Sequence, residues 1–258
     1  MTKKHLGQNY LFDPLILEKI VAVSGISGKD TVVEIGPGPG RLTRLLTKTA
    51  KQVIAIELDR VLYDTLEAEC AGIKNLQLIH GDALVYPFEK LDQFSVVANI
   101  PYYITTPVIF KLMEAGKNLK AMTLTVQKEV AERIAAVPGN KDYGVLSISV
   151  QYRADTELKF IIPRGAFRPV PKVDSAVIHI RMLGSPRVVP ADERLFSKVF
   201  RTAFSRRRKT LSNSLKLLVP DVKDILLRAG IDHMRRPETL SIEEFARLSD
   251  AIKDDMQS

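Results

Sequence analysis

Short runs of apolar, β-branched residues alternate with segments of helical apolar spacing over the first half of the chain. The runs predict buried strands, and the helical spacing predicts the helices between them. The predicted strands are 30–35, 53–58, 76–80, 94–98 and 119–126, and the predicted helices are 14–24, 41–49, 60–70, 107–114 and 128–136. Strands that alternate with helices indicate an α/β fold built on a doubly wound, mostly parallel sheet.

The pattern changes in the second half of the chain. Two late strands are predicted at 156–162 and 174–182, on either side of a proline-rich loop at 167–172. Beyond about residue 185 the strand pattern stops, and three or four short helices follow. We therefore place a domain boundary near Gly184, which divides the chain into an α/β domain, 1–184, and a small all-helical domain, 185–258.

Residues 32–43, Val-Val-Glu-Ile-Gly-Pro-Gly-Pro-Gly-Arg-Leu-Thr, run from a predicted strand through three glycines into a predicted helix. Glycine tolerates positive φ and lets a ligand approach the backbone closely. The spacing Gly-x-Gly-x-Gly is typical of an S-adenosylmethionine (AdoMet) loop, whereas a dinucleotide-binding loop has Gly-x-Gly-x-x-Gly. Gly36 and Gly38 are therefore candidate cofactor contacts. An ordinary glycine turn in an α/β protein is the alternative.

Polar residues stand where the next three predicted strands end. Glu57 ends the second strand, Asp82 follows the third and Asn99 follows the fourth. In parallel sheets, ligands bind at the carboxyl ends of the strands. A carboxylate at Glu57 can accept hydrogen bonds from both ribose hydroxyls of an adenosine, and Asp82 can accept one from the adenine amine. A turn-forming role fits Asp82 equally well.

The tetrapeptide Asn99-Ile100-Pro101-Tyr102 indicates the chemistry. An exocyclic base amine is a poor nucleophile because its lone pair is delocalised into the ring. Hydrogen-bond acceptors at its two N–H groups favour the charge-developing transition state. The Asn99 side-chain oxygen and the Ile100 carbonyl can supply those acceptors, while Pro101 stiffens the backbone and Tyr102 can stack on a flipped or unpaired base. The sequence therefore predicts methyl transfer to a base amine.

Charge and composition narrow the class of partner. The chain has 258 residues, 45% of them hydrophobic, and a formal net charge of +8. Residues 201–216 contain six basic residues and no acidic one, which indicates a polyanionic partner such as RNA. The candidate RNA contacts are Arg206, Arg207, Arg208 and Lys209. A solvated helix face is the alternative.

The cysteine, the histidines and the apolar runs of the chain argue against an internal disulfide, a metal site and a membrane-spanning helix. A single cysteine, Cys70, excludes an internal disulfide and suits a reducing cytosol. The four histidines show no metal-ligand spacing with one another or with Cys70, so no metal site is expected. No run of about 18 apolar residues exists to span a membrane, and the amino terminus lacks the apolar core of a signal peptide. We therefore expect a cytoplasmic protein.

These motifs together resemble those of the KsgA family of ribosomal RNA adenine dimethyltransferases, in the same order, over roughly residues 3–215. The matching segments are 7–11, 34–38, 56–59, 81–83, 99–102, 127–129, 143–144 and 167–175. The resemblance implies a Rossmann-like AdoMet-dependent methyltransferase domain at 1–184 and a helical RNA-binding domain at 185–258. It also implies dimethylation of two adjacent adenosines near the 3′ end of small-subunit (16S) rRNA, by a monomer acting on a pre-assembled small subunit during its biogenesis.

The resemblance also implies roles for particular residues. The implied AdoMet contacts are Asn9, Leu11, Gly36, Glu57, Asp82 and Asn99. Stacking on the target adenine is implied for Tyr102 and Phe167, with a core phenylalanine as the alternative for the latter. Many bacterial members have Phe at the position of Tyr10 and Leu at that of Ile100.

Three other functions remain as alternatives. Ile100 matches the related Erm enzymes, which dimethylate adenine in large-subunit rRNA, although Gly7–Asn9 and Arg206–Thr210 resemble KsgA. A nicotinamide-dependent dehydrogenase would need the other glycine spacing and leaves Asn99–Tyr102 unexplained. A non-catalytic nucleic-acid-binding protein on the same fold, as in the related mitochondrial transcription factor B, is the third. The intact glycine loop and tetrapeptide argue against it.

Overall fold

The computed structural model describes residues 9–257 of the chain. Gly7 and Gln8, which carry part of the resemblance at the amino terminus, lie outside the described residues. The predicted alternation of strands and helices is confirmed, and so are the two late strands and the helices after them. Within residues 9–257, no helix is both long and apolar enough to cross a membrane.

The described part of the chain contains nine strands and ten α-helices. The strands are β1 Tyr10–Leu11, β2 Thr31–Ile35, β3 Gln52–Glu57, β4 Leu76–His80, β5 Phe94–Asn99, β6 Leu119–Gln127, β7 Ala154–Ile162, β8 Phe167–Arg168 and β9 Ser175–Met182. The helices are α1 Pro14–Ser24, α2 Arg41–Thr49, α3 Arg60–Cys70, α4 Thr105–Met113, α5 Lys128–Ala135, α6 Val145–Gln151, α7 Glu193–Ser205, α8 Leu211–Leu215, α9 Val222–Arg228 and α10 Ile242–Gln257.

Seven strands form one sheet in the order β4-β3-β2-β5-β6-β9-β7. The neighbours from β4 through β6 are parallel, and β9 runs antiparallel to β6. The carboxyl ends of β4, β3, β2 and β5 therefore meet at one edge of the sheet. A separate two-stranded antiparallel sheet pairs β1 with β8, with Leu11 opposite Phe167. This pairing joins the amino-terminal segment to the start of the proline-rich loop.

Local sequence explains where several helices begin and end. The Asp13 side chain accepts hydrogen bonds from the first backbone N–H groups of α1, and Pro14 occupies its first turn. Asp59 and Asp192 cap α3 and α7 in the same way. Gly25 ends α1 with φ of 68°, a left-handed conformation that favours glycine.

The chain divides into two compact units. The first comprises the chain up to Ala131 together with Glu157–Met182, and the second comprises Glu132–Thr156 together with the chain from Leu183 onward. The second segment of the first unit thus ends close to the boundary predicted near Gly184. Residues 132–156 were assigned to the predicted α/β domain, 1–184, but they belong to the second compact unit. The domain division itself remains a prediction.

Each unit has its own hydrophobic core. In the first unit, Leu17 and Ile20 of α1 pack with residues of β2, β3 and β5 such as Val32, Val53 and Val97. The second core is rich in aromatic rings contributed by α6, α7 and α10 and their flanking residues. Its buried aromatic residues are Tyr143, Tyr152, Phe196, Phe200 and Phe245.

Helix α6 was not predicted because its sequence, Val-Leu-Ser-Ile-Ser-Val-Gln, alternates apolar and polar residues as a strand does. Contacts within the second unit stabilise it as a helix. The Gln151 amide donates to the carbonyls of Ile134 and Ala136 at 2.7 and 2.8 Å. At its start, the Gly144 N–H donates to the Ser147 hydroxyl at 3.0 Å. Tertiary hydrogen bonds here override the local alternation.

Candidate active site

The glycine loop leaves β2 at the carboxyl edge of the sheet and leads into α2. Gly36, Gly38 and Gly40 have φ of 67°, 55° and 72°, which other residues rarely adopt. A Cβ atom added to Gly38 would lie 2.6 Å from the ring of Tyr10. The loop thus requires glycine for its conformation and for the close packing of the amino-terminal segment against it.

Glu57 ends β3 beside this loop and is 1% exposed. Its carboxylate accepts hydrogen bonds from the Gly38 N–H at 3.0 Å and the Asp59 N–H at 2.9 Å. Burial raises the pKa of Glu57 above its ordinary value, although these hydrogen bonds oppose the shift. Each carboxylate oxygen has a second lone pair, so both can still accept from a ligand hydroxyl. The structure therefore brings two predicted cofactor residues into direct contact.

Asp82 follows β4 on the same edge. Its carboxylate accepts from the Leu84 N–H at 2.8 Å, so the turn-forming role is realised. Burial raises the pKa of Tyr103, and the negative charges of Asp82 and Glu57 add to the shift. The role of Asp82 toward adenine stays a prediction. Tyr103, which is 54% exposed, was not among the residues predicted from the sequence.

Asn99 connects the end of β5 to the amino-terminal segment. Its Nδ2 donates to the backbone carbonyl of Asn9 at 3.0 Å, across 90 residues of sequence. This hydrogen bond orients the Asn99 side chain so that Oδ1 is the atom able to accept from an amine. A cleft of about 310 Å³, open to solvent, is lined by Asn9, Tyr10, Gly36, Asn99, Ile100, Pro101 and Tyr102. The structure therefore brings the amino-terminal segment, the glycine loop and the tetrapeptide together.

Two other residues of the tetrapeptide, Ile100 and Tyr102, are each held by a hydrogen bond. The Ile100 N–H donates to the Thr125 carbonyl at 3.2 Å, and the Ile100 side chain is 1% exposed. Its side chain therefore belongs to the core, and the choice between Ile and Leu there leaves the backbone carbonyl in place. The hydroxyl of Tyr102 lies 2.6 Å from that of Ser175, which no sequence motif had marked as a functional residue on its own.

Phe167, predicted to stack on the target base, does not line the cleft. Its ring is completely buried in the core of the first unit. Pairing of β8 with β1 holds it opposite Leu11, whose side chain is also buried. This burial favours the alternative, a core phenylalanine, and the stacking of Phe167 on a base stays a prediction. Val170, 53% exposed, is an exposed apolar residue of the proline-rich loop.

A second cleft, of about 320 Å³, adjoins the first and shares Tyr10, Gly36 and Asn99 with it. Leu11 and Glu34 also line it. Glu34 is 2% exposed, and its Oε2 has no hydrogen-bond partner among the described residues. Burial raises the pKa of Glu34 to about 8, and the nearby negative charge of Glu57 adds to the effect. A positively charged ligand beside this carboxyl group would favour its charged form and lower this pKa.

Glu34 is expected to make the free energy of unfolding fall as pH rises from about 5 to 8. Its pKa is about 8 in the folded chain against an ordinary value of 4.5, so the folded state holds an extra proton across this window. Glu34→Gln should flatten this decline, because its amide stays neutral at every pH. Urea unfolding at several pH values measures the slope. An exposed control, Glu18→Gln, should keep the wild-type slope, and a wild-type slope in Glu34→Gln would contradict the assignment.

The basic segment lies in the second unit, in the turn between α7 and α8. Arg206, Arg208 and Lys209 are exposed, and the guanidinium of Arg207 donates to the carbonyl of Lys141. Residues 204–209 line an open depression of about 760 Å³. Leu211 and Leu215 are completely buried in the core of the second unit. The cluster is therefore a basic turn anchored by apolar residues, and not a helix face.

Within residues 9–257, no three His, Cys, Asp or Glu side chains are grouped so that they could hold a metal ion. Titratable side chains at the carboxyl edge of the sheet include the carboxyl groups of Glu34, Glu57 and Asp82 and the phenols of Tyr10, Tyr102 and Tyr103. Burial and the charges of Glu57 and Asp59 raise the pKa of Tyr10 to about 12. These groups accept hydrogen bonds and favour cations, which suits a polar, positively charged organic ligand.

Several known proteins are similar to this chain in sequence and in fold. The family described as "Ribosomal RNA adenine dimethylase" matches residues 1–254. The chain is 48% identical over 256 residues to ribosomal RNA small subunit methyltransferase A of Clostridium acetobutylicum, covering 96% of this chain and 93% of that protein. A dimethyladenosine transferase from Plasmodium falciparum superposes with a TM-score of 0.81 at 32% identity, covering 92% and 95%. The 23S rRNA methyltransferase ErmE superposes at 0.76 with 27% identity, covering 95% and 100%.

The match to the family spans nearly the whole chain and includes both compact units. It includes the glycine loop, the carboxylates at the strand ends and the tetrapeptide beside Asn9. The chain therefore belongs to the family of ribosomal RNA adenine dimethylases, which take the methyl groups that they transfer from AdoMet.

Proposed function

We propose that this protein dimethylates the 6-amino groups of two adjacent adenosines near the 3′ end of small-subunit rRNA. The observation that carries the proposal is the cleft in which Asn9 and Gly36 meet Asn99–Tyr102 at the carboxyl edge of the sheet. The 48% identity to a protein named ribosomal RNA small subunit methyltransferase A supports the choice of subunit. We further propose a cytoplasmic monomer that acts on a pre-assembled small subunit during its biogenesis.

The residues at this edge fit AdoMet. Glu57 presents carboxylate oxygens that can accept from both ribose hydroxyls, and Asp82 offers an acceptor for the adenine amine. Glu34 offers a buried carboxyl group in the adjoining cleft, where a positively charged group would favour its charged form. Asn9 and Gly36 line the first cleft, and Leu11 and Gly36 line the second. Gly38 belongs to the glycine loop beside them and donates its N–H to Glu57. AdoMet supplies a methyl group on a positively charged sulfur, which is already activated for transfer.

Residues of the tetrapeptide act on the base that receives the methyl group. The Asn99 Oδ1 and the Ile100 carbonyl accept from the two N–H groups of the adenine amine. This polarises the nitrogen toward the transition state, in which positive charge develops on it. Tyr102 holds the base by stacking. No strong general base is required, because the proton leaves after the new bond has formed.

The basic turn is proposed to dock the rRNA through its phosphates. Arg206, Arg208 and Lys209 extend from a turn that Leu211 and Leu215 anchor in the core. Contacts to phosphates supply affinity that depends strongly on salt and carry little base specificity. Selection of the two adenosines is therefore assigned to the cleft of the first unit and to the shape of the RNA.

Replacing Arg206, Arg208 and Lys209 by Ala is expected to weaken RNA binding steeply. The dependence of log affinity on log salt should flatten by roughly 0.7–0.9 for each phosphate that the variant no longer neutralises. AdoMet affinity should stay unchanged, since its proposed contacts belong to the first unit. Binding of a small-subunit rRNA fragment at several salt concentrations gives the slope, and calorimetry gives the AdoMet affinity.

A matched control removes the same charge from other exposed positions of the second unit. Arg194 and Lys198 lie in the first half of α7, and Lys223 lies in α9. Their replacement by Ala should leave the salt slope closer to that of the wild type. Equal slopes in the two triple variants would show that net charge alone matters and that the basic turn has no special role.

The proposed function is tested by mapping dimethyladenosine in rRNA of cells that lack the protein. We expect the modification to disappear from two adjacent adenosines of the small-subunit rRNA and to return with the wild-type chain. Its loss from large-subunit rRNA would instead identify an Erm-type enzyme. Unchanged modification in both rRNAs would support a non-catalytic nucleic-acid-binding role.

A further inference from the structure

A buried serine holds the tip of one side chain in the cleft. The hydroxyl groups of Ser175 and Tyr102 lie 2.6 Å apart and share a hydrogen bond across 73 residues of sequence. Tyr102 lines the 310 Å³ cleft together with Asn99 and is partly exposed, whereas Ser175 is completely buried. The serine therefore contacts the side chain that forms part of the cleft, and is itself shielded from solvent.

The sheet topology explains how these two residues meet. Tyr102 follows the end of β5, and β6 lies between β5 and β9. Because β9 is antiparallel to β6, Ser175 at its start pairs with Gln127 at the end of β6. Neighbouring strands are about 4.8 Å apart, so the tyrosine must extend across the end of β6 to reach Ser175. The hydrogen bond thus fixes the far end of a side chain that begins two strands away.

Ser175 is itself held on a rigid part of the sheet. The carbonyl of the preceding residue, Asp174, accepts from the Lys128 N–H at 3.0 Å, and its carboxylate accepts from the Arg164 N–H at 2.9 Å. Burial raises the pKa of Tyr102, and the charge of Asp174 adds to this, although the hydrogen bond to Ser175 opposes it. The phenol therefore stays protonated at neutral pH and keeps the hydrogen bond.

We propose that Ser175 is a positioning residue that orients the Tyr102 ring for stacking on the target adenine. The inference rests on the proposed function, in which Tyr102 stacks on that base. A tyrosine side chain turns about two bonds. A hydrogen bond at its tip fixes the direction of the side chain, which the first bond sets, and the preference of the phenolic O–H for the ring plane favours one ring angle about the second. The cleft then offers the base a surface that is already in place before the base enters.

A double-mutant cycle of Ser175→Ala and Tyr102→Phe tests this role. Each variant should lower kcat for methylation of unmethylated small ribosomal subunits by about threefold to tenfold, the size of effect typical of one hydrogen bond. KM for the subunits and the affinity for AdoMet should change by no more than about twofold, because docking and cofactor binding use other residues. The double variant should be no slower than the slower single variant, since both lose the same hydrogen bond.

Two results would overturn the proposal. One is a wild-type kcat for Ser175→Ala, and the other is a double variant whose loss equals the product of the single losses. Ser95→Ala is the matched control, because Ser95 is a buried serine near the start of β5, away from the cleft. It should keep the wild-type kcat. All rates are compared at a temperature where each variant is folded.

One more variant separates this inference from the proposed function. Tyr102→Leu removes the aromatic ring and should lower kcat more than Tyr102→Phe does. A wild-type rate for Tyr102→Leu would overturn the stacking role, and the positioning role with it. If Tyr102→Leu is slow but the losses in kcat of Ser175→Ala and Tyr102→Phe multiply in the double variant, only the role of Ser175 is overturned.

Discussion

Asn99→Ala is expected to lower the rate of methyl transfer by roughly 100-fold or more, the cost typical of losing one transition-state acceptor. In the proposed mechanism, the side-chain oxygen of Asn99 stabilises positive charge that develops on the amine only as the methyl group arrives. Its loss should therefore lower the rate at saturating substrate much more than it lowers AdoMet affinity. Single-turnover transfer from labelled AdoMet to saturating RNA measures the chemical step.

Asn99 also donates to the Asn9 carbonyl, so the variant loses a structural hydrogen bond as well. If that bond were its only contribution, saturating AdoMet would restore the rate. Asn75→Ala provides the control, because Asn75 likewise donates its amide to the carbonyls of Thr47 and Ala50, outside the cleft. It should lose stability and keep the wild-type rate. Turnover of Asn99→Ala near the wild-type rate at saturation would end the proposed role.

Phe167→Ala is expected to lower the free energy of unfolding by roughly 3–5 kcal/mol, the range typical of removing a buried phenylalanine ring. The ring is completely buried, and β8 carries it against β1. The cavity left behind would loosen both the core and the segment that contains Asn9. Urea denaturation followed by circular dichroism measures the loss.

Val170→Ala is the matched control in the same loop, since Val170 is 53% exposed. Its effect on stability should stay within about 0.5 kcal/mol, as for other surface substitutions. Full stability of Phe167→Ala together with slow methyl transfer at saturating RNA would instead support the predicted stacking of this ring on the base.

Local sequence alone determined the alternating strands and helices of the first unit. Periodicity of apolar residues reflects which side of an element is buried, and that information lies within a few neighbouring residues. The glycine loop was predictable for the same reason, because its positive φ angles require glycine at particular positions. The meeting of Gly36, Glu57, Asp82 and Asn99 at one edge followed from the parallel direction of β2, β3, β4 and β5, whose carboxyl ends lie at the same edge of the sheet.

Tertiary structure alone decided the contacts between distant segments. Strands β1 and β8 have two residues each, too few for any period, and only their pairing places Phe167 in the core. Helix α6 alternates like a strand and becomes helical through hydrogen bonds within its unit. The bond between Tyr102 and Ser175 depends on the antiparallel placement of β9 beside β6. Such pairings depend on how the strands are arranged in the sheet, which the pattern along a single strand does not encode.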